Sequence, residues 1–230
     1  MFNKTKKIFL LTFLLVSLFW GGVNTLTAAT NNYKIVVDPA HGGSDAGVKI
    51  TDTINEKDIT LAIALALQTE LSKEGNIKVI LSRVSDKDVT AENRKKIVQE
   101  NKPNFFLSIH INRGFGKHAS GFELYYPGFG KAAASTKKDA KGLSPERIKY
   151  LNESVRMAHL IQRNLDSVFP RMGRGLREAD VPVLEGLHLP ALVVEIGFAS
   201  NSDDRKKLLS AKTQKEIARA LSRSIKSFYR

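Results

Sequence analysis

The sequence predicts a single-domain α/β protein, and three observations carry that prediction. Short apolar runs such as Ile35–Val37 and Phe105–Ile109 alternate with stretches of helical period such as Glu56–Lys73, the order that layers helices on a sheet. At 230 residues the chain is long enough for one sizeable core and short for two full domains. Its hydrophobic share of 42% and charged share of 26% are ordinary for a globular protein and exclude a wholly disordered or fibrous chain.

The first segment stands apart. Lys4, Lys6 and Lys7 precede an apolar run from Ile8 to Trp20, and small residues close the segment at Thr27, Ala28 and Ala29. A basic start, an apolar centre and a small-residue end are the parts of a secretory signal peptide, with cleavage expected after Ala29. The competing reading is an uncleaved anchor, for which the run falls short of the about 20 residues that span a bilayer. The expected organisation is therefore a leader over residues 1–29 and one folded domain over residues 30–230, exported to the periplasm or the cell wall. Losing the leader removes three Lys and no acid, which leaves 33 basic against 23 acidic residues and a charge of +10. Such a chain is expected to meet an anionic envelope surface or polymer. Its basic residues are scattered and no basic and aromatic nucleic-acid motif is present, so nucleic acid is not an expected partner. A monomer is expected. With no Cys, an exported chain has no disulfides, and a zinc site would draw on His and carboxylates alone.

The folded part begins with the strand Ile35–Val37, which ends at Asp38 and Pro39, where proline removes a ladder donor. His41 follows on a loop with Gly42, Gly43 and Gly47, and sites in open α/β sheets collect beyond the carboxyl ends of strands. Taken alone, His41 reads equally as an incidental surface residue of a turn. The helix Glu56–Lys73 carries Ile59, Ile63, Leu67 and Leu71 on one face. Glu56 lies in its first turn, where the helix dipole favours a carboxylate whatever else that residue does. Gly75 and Asn76 end the helix, and Ile77–Leu81 is the next strand. A second helix over Thr90–Asn101 closes at Lys102 and Pro103. The strand Phe105–Ile109 ends at His110, beside His41 if the two strands are parallel and adjacent. One His after an apolar strand is more often structural, but two at matching strand ends are harder to dismiss.

Beyond a glycine-bearing loop, Phe122–Tyr126 reads as a strand. Residues 127–145 hold few large apolar side chains and are expected to form a mobile surface insertion. Glu146–Phe169 is a long helix with Ile148, Leu151, Val155, Ala158 and Ile161 in register, and Arg171–Arg177 is a basic turn. The apolar run Ala191–Val194 is a buried strand continued by Glu195. A carboxylate there is costly unless it is paired or bound, so a salt bridge competes with a chemical role. Thr213–Tyr229 closes the chain as an amphipathic helix with Ile217, Leu221, Ile225 and Phe228 inward.

Six blocks now carry a resemblance: DPAHGGSDAG, NEKDITLAIALAL, the SR of ILSRVSD, FFLSIHIN, the RG of GRGLREADVPVL, and LPALVVEIGFASN. In order and approximate spacing they resemble the zinc-dependent N-acetylmuramoyl-L-alanine amidases, a family of bacterial cell-wall hydrolases. The resemblance spans nearly the whole mature chain. It implies one zinc held by His41, Glu56 and His110, Glu195 as the catalytic carboxylate, and a mixed, mostly parallel β-sheet flanked by helices on both faces. It also implies peptidoglycan as the substrate and the amide between N-acetylmuramic acid and L-alanine as the bond cleaved. Two departures stand out: Ala40 replaces the usual glycine, and residues 127–145 exceed what a minimal member needs. Two His and one Glu leave a zinc ion an open fourth position, the arrangement of a hydrolytic site. Asp45, Arg94 and Asn112 are candidates for orienting it. The same metal set would also suit a zinc peptidase or carboxypeptidase acting on stem peptides. A non-catalytic peptidoglycan-binding regulator with the same fold is the third reading, against which the four intact residues speak.

Overall fold

The structure, a computed structural model, describes residues 32–128 and 144–230. The expected leader and nearly all of the expected insertion lie outside those residues. Along the chain run β1 (Tyr33–Pro39), α1 (Glu56–Leu71), β2 (Ile77–Leu81), α2 (Ala91–Asn101), β3 (Phe105–Asn112), β4 (Phe122–Pro127), α3 (Pro145–Leu165), β5 (Gly173–Ala179), a short 3-10 turn (Pro182–Leu184), β6 (Ala191–Phe198), α4 (Ser202–Leu209) and α5 (Ala211–Phe228). The strands form one sheet in the order β2-β1-β3-β6-β4-β5. Every pairing is parallel except β4 with β6. The fold is thus the mixed, mostly parallel α/β sheet that was expected.

Central strands covered on both faces need apolar residues in succession rather than in alternation. Ile35, Val36 and Val37 are all fully buried because they point to opposite sides. Ile35 and Val37 join the larger core with Leu107, Ile109, Leu192 and Val194, under α1, α3 and α5. Val36 joins Phe106, Ala191 and Val193 in a smaller core capped by Val98 of α2 and Val183 and Leu184 of the 3-10 turn. That smaller core covers the upstream part of its face. The same face continues, two residues at a time, to His110 on β3, Glu195 on β6 and Glu123 on β4, and here no helix roofs it among the described residues.

Several elements differ from the sequence reading in instructive ways. β5 occupies the stretch expected as a basic turn, and the expected stripe on α3 holds only at Ala158 and Ile161, with Ile148 45% exposed and Ser154, Met157 and Leu165 buried beside them. β6 runs on past Glu195 to Phe198. The short charged helix α4, capped by the Asn201 side chain accepting from the backbone of Asp203 and Asp204, has too little apolar period to announce itself.

Candidate active site

His41, Glu56 and His110 come from three segments and converge. His110 is the sixth residue of β3, and Glu56 opens α1, where Asn55 N–H donates to the Asp58 side chain at 2.9 Å. Ring nitrogens and a carboxylate oxygen of the three residues all lie within 4.8 Å of one another. Glu56 is 1% exposed, and both its oxygens are engaged. Oε2 lies 3.1 Å from His41 Nε2 and accepts from Val48 N–H at 2.9 Å, while Oε1 lies 3.3 Å from His110 Nδ1 and accepts from Ile111 N–H at 2.9 Å. Burial disfavours this carboxylate, but the hydrogen bonds from His110 and His41 outweigh it and bring its pKa down to about 2. The hydrogen bond to Glu56 likewise raises His41, despite burial, to about 9. Gly47 has φ +66°, and a Cβ there would stand 2.6 Å from the His41 ring and 2.7 Å from Glu56 Oε2, so only glycine lets the backbone close around the two donors. Two imidazoles and one carboxylate within mutual reach fit a divalent metal with three protein ligands.

Asp45 orients the first imidazole. Its Oδ2 lies 2.8 Å from His41 Nδ1, and since an ionised carboxylate only accepts, the Nδ1–H donates and Nε2 is the nitrogen turned toward Glu56 and His110. Such a carboxylate behind a ligating His fixes tautomer and ring orientation.

Glu195 lies directly opposite His110 in the β3–β6 register. Its Oε2 is buried without a hydrogen-bond partner, and it forms no ion pair among the described residues, so the salt-bridge reading finds no support. Burial pushes its carboxyl up to about 7; the His110 charge lowers it, and the Glu56 charge adds to the rise. A carboxyl that titrates near neutrality can take and return a proton at working pH.

Comparisons with known proteins give the family. The Amidase_3 family model, N-acetylmuramoyl-L-alanine amidase, matches residues 35–227. The chain belongs to this amidase family. It is 36% identical over 188 residues to the N-acetylmuramoyl-L-alanine amidase CwlM of Bacillus licheniformis, covering 81% of this chain but 64% of that protein's length. An uncharacterized protein of Bacillus subtilis, YqiI, is 32% identical, with 85% of this chain and 84% of the relative covered. Among solved structures, an N-acetylmuramoyl-L-alanine amidase of Clostridium difficile 630 superposes with a TM-score of 0.72 at 28% identity, covering 86% of this chain and 97% of that one. The Clostridioides difficile CwlD amidase, solved in complex with the GerS lipoprotein, gives 0.70 at 26% identity, covering 86% and 98%.

In this amidase-family chain two buried arginines hold the loop that presents His41. Arg83, 1% exposed, donates to the carbonyls of Pro39 (3.0 Å), Ala40 (2.9 Å) and Lys57 (2.8 Å), tying the end of β1 to the first turn of α1. Arg94 donates to the His41 carbonyl at 2.8 Å and pairs with buried Asp38. His41 itself has φ +61°, a left-handed conformation that persists where surroundings over-determine it. Ala40 has no positive φ, and its methyl is buried with its carbonyl fully used, so nothing at that position calls for the family's glycine. Asn112, the third candidate, donates to Glu123 at 3.1 Å. Glu123 escaped the sequence reading: it sits opposite Glu195 in the β4–β6 register, 5% exposed, accepting from Tyr125 Oη at 2.6 Å and Arg174 Nε at 2.9 Å. A carboxylate within FELYYP was a signal of the same kind as Glu195, but its two cationic partners lie on a strand expected as a turn.

Proposed function

We propose that the protein is a zinc-dependent amidase that hydrolyses the bond between N-acetylmuramic acid and the L-alanine of the peptidoglycan stem peptide. The observation that carries this reading is a three-donor cluster, His41, Glu56 and His110, beside Glu195, whose buried Oε2 has no hydrogen-bond partner among the described residues. Family membership supplies the bond. Imidazole and carboxylate donors without thiols, in a three-ligand set, suit a catalytic zinc. When bound, the ion supplies Lewis acidity toward the amide carbonyl and acidifies water. Glu195 accepts the proton of the attacking water and delivers it to the leaving nitrogen, so that the C–N bond breaks to a lactyl carboxylate and a free L-alanine amine. Glu56 and the two imidazoles hold the ion, Asp45 keeps His41 turned toward it, and Arg83 and Arg94 keep the His41 loop in place. Residues 1–29 act as an export leader, residues 30–230 as the catalytic domain, and the protein works as a monomer on peptidoglycan in the periplasm or cell wall, its basic surface aiding contact with an anionic envelope.

The purified mature chain is expected to carry one zinc, to lose activity on chelation and to regain it with added zinc, as metal analysis beside an assay on sacculi would measure. Digestion should yield free stem peptides and intact glycan by mass spectrometry. Shortened stems still attached to glycan would point to the peptidase reading, and zinc-loaded protein that releases nothing would point to a binding regulator. Asp45→Asn is expected to weaken zinc binding by about 10- to 100-fold, the usual cost of losing a partner behind a metal ligand, with little change in melting temperature because Asp45 is largely exposed. Competition with a chromophoric chelator reads this directly.

A further inference from the structure

Two arginines on the sheet face of Glu195 have no part in this hydrolysis. Arg174 and Arg177 lie three residues apart on β5, an edge strand, where strict alternation would send them to opposite faces. A slip in register prevents it. Phe122 pairs with Gly173 and Leu124 with Leu176, so Arg174 and Gly175 together oppose the single residue Glu123. Gly175 absorbs the extra residue at φ +95°, and no heavy atom lies within 4 Å of where its Cβ would stand; backbone conformation rather than crowding asks for glycine there. The bulge turns both guanidiniums to the face that carries Glu195. Arg174 Nε donates to Glu123 Oε1 at 2.9 Å, and Arg177 Nη2 lies 3.7 Å from the same oxygen. Bulges beside active sites serve to re-aim side chains in this way.

Two cations therefore converge on one anion, whose second oxygen already accepts from Asn112 and Tyr125. Their side chains stay 41% and 54% exposed, and the Arg174 guanidinium is braced 5.3 Å from the Phe198 ring centroid. Glu123 stands directly opposite Glu195. Two strand spacings of about 4.8 Å place β5 roughly 10 Å from the strand of Glu195, a span that an extended peptide covers in about three residues. Arginine reads carboxylates through a planar fork of donors.

We infer that Arg174 and Arg177 form a carboxylate subsite that reads an acidic group on the peptide arm of the substrate, within about three residues of the bond cleaved. The inference rests on the amidase reading for the position of that bond. Its test uses Glu195→Gln protein, which leaves ligands intact, titrated with N-acetylmuramoyl peptides that differ only in a free α-carboxylate or its carboxamide at the second or third peptide residue. The acid is expected to bind about 10-fold tighter than the amide at one of those positions, the worth of one charge-assisted hydrogen bond. Adding Arg177→Gln should shrink that preference to about 3-fold or less, and Arg177→Lys, which keeps the charge without the fork, should retain part of it. Equal binding of acid and amide at both positions, or a preference that Arg177→Gln leaves unchanged, overturns the subsite. A preference that behaves as expected in a protein whose wild type releases no stem peptide overturns the amidase reading and leaves the subsite standing.

Discussion

Glu195→Gln is expected to lower stem-peptide release by about 10² to 10⁴, the usual worth of a positioned general base, with zinc still bound. Glutamine keeps the size and hydrogen-bonding shape of the side chain and cannot accept the proton. Stability should move the other way from activity. Burial raises the Glu195 carboxyl from 4.5 to about 7 in the folded protein, so the fold favours its protonated form. That advantage is complete below pH 4.5 and is lost as pH rises through 7, about 3 kcal/mol in all. Metal-free Glu195→Gln should therefore lose less stability than metal-free wild type between pH 5 and pH 8. Melting temperatures at the two pH values, zinc content and peptide release on sacculi settle the matter together. Near wild-type turnover would take the catalytic role from Glu195, and a variant that melts early and turns over slowly would make it a structural residue.

Glu56→Gln should fail at an earlier stage, by weakening zinc more than about 100-fold, beyond the loss expected for a supporting residue. The reason is visible in its four contacts. Each oxygen of Glu56 accepts a backbone N–H, from Val48 and from Ile111, as well as facing an imidazole. An amide offers one oxygen, so its NH2 must point at a backbone donor in a site that is 1% exposed, and a buried donor left unsatisfied costs about 1–3 kcal/mol. Metal-free Glu56→Gln is thus expected to be less stable than metal-free wild type. Here the folded pKa is depressed, to about 2, so the carboxylate's contribution is present above pH 4.5 and fades as pH falls through 2. The stability gap between variant and wild type should narrow correspondingly in acid. Zinc content near that of wild type would remove Glu56 from the ligand set.

How much of this was legible beforehand depended on how locally each feature is encoded. His41 and His110 stand at the ends of apolar runs, and strand ends are where open sheets build sites, so their meeting followed from local pattern. Glu195 declared itself as a carboxylate inside a run that is otherwise core. Glu56 could be placed at a helix start, but its inward turn depends on Gly47 and on the backbone of Val48 and Ile111, which no spacing rule supplies. β5 reads GRGLREA, two glycines and two arginines without an apolar alternation; it becomes a strand because β4 offers it a partner, a tertiary effect that local preference does not contain. The misread strand concealed Glu123, whose partners Arg174 and Arg177 lie on it. Arg94 was a candidate for orienting the site and Arg83 stood in one of the matching blocks, but how they act was not readable, since the carbonyls of Pro39 to His41 that they hold lie more than 40 residues upstream.

The distance along the chain between paired strands bears on when the chemistry can begin. β3 pairs with β6 across the largest sequence separation of any pairing in the sheet, and that pairing aligns His110 with Glu195. Contacts between distant segments form late and slowly because the loop between them must first be closed. His41, Glu56 and His110 all lie within the first half of the chain, while Glu195 arrives with the last strand to be synthesised. On the proposed function, a hydrolase of the wall that surrounds its own cell is thereby latent while nascent or unfolded, and it becomes competent only once the whole sheet has closed.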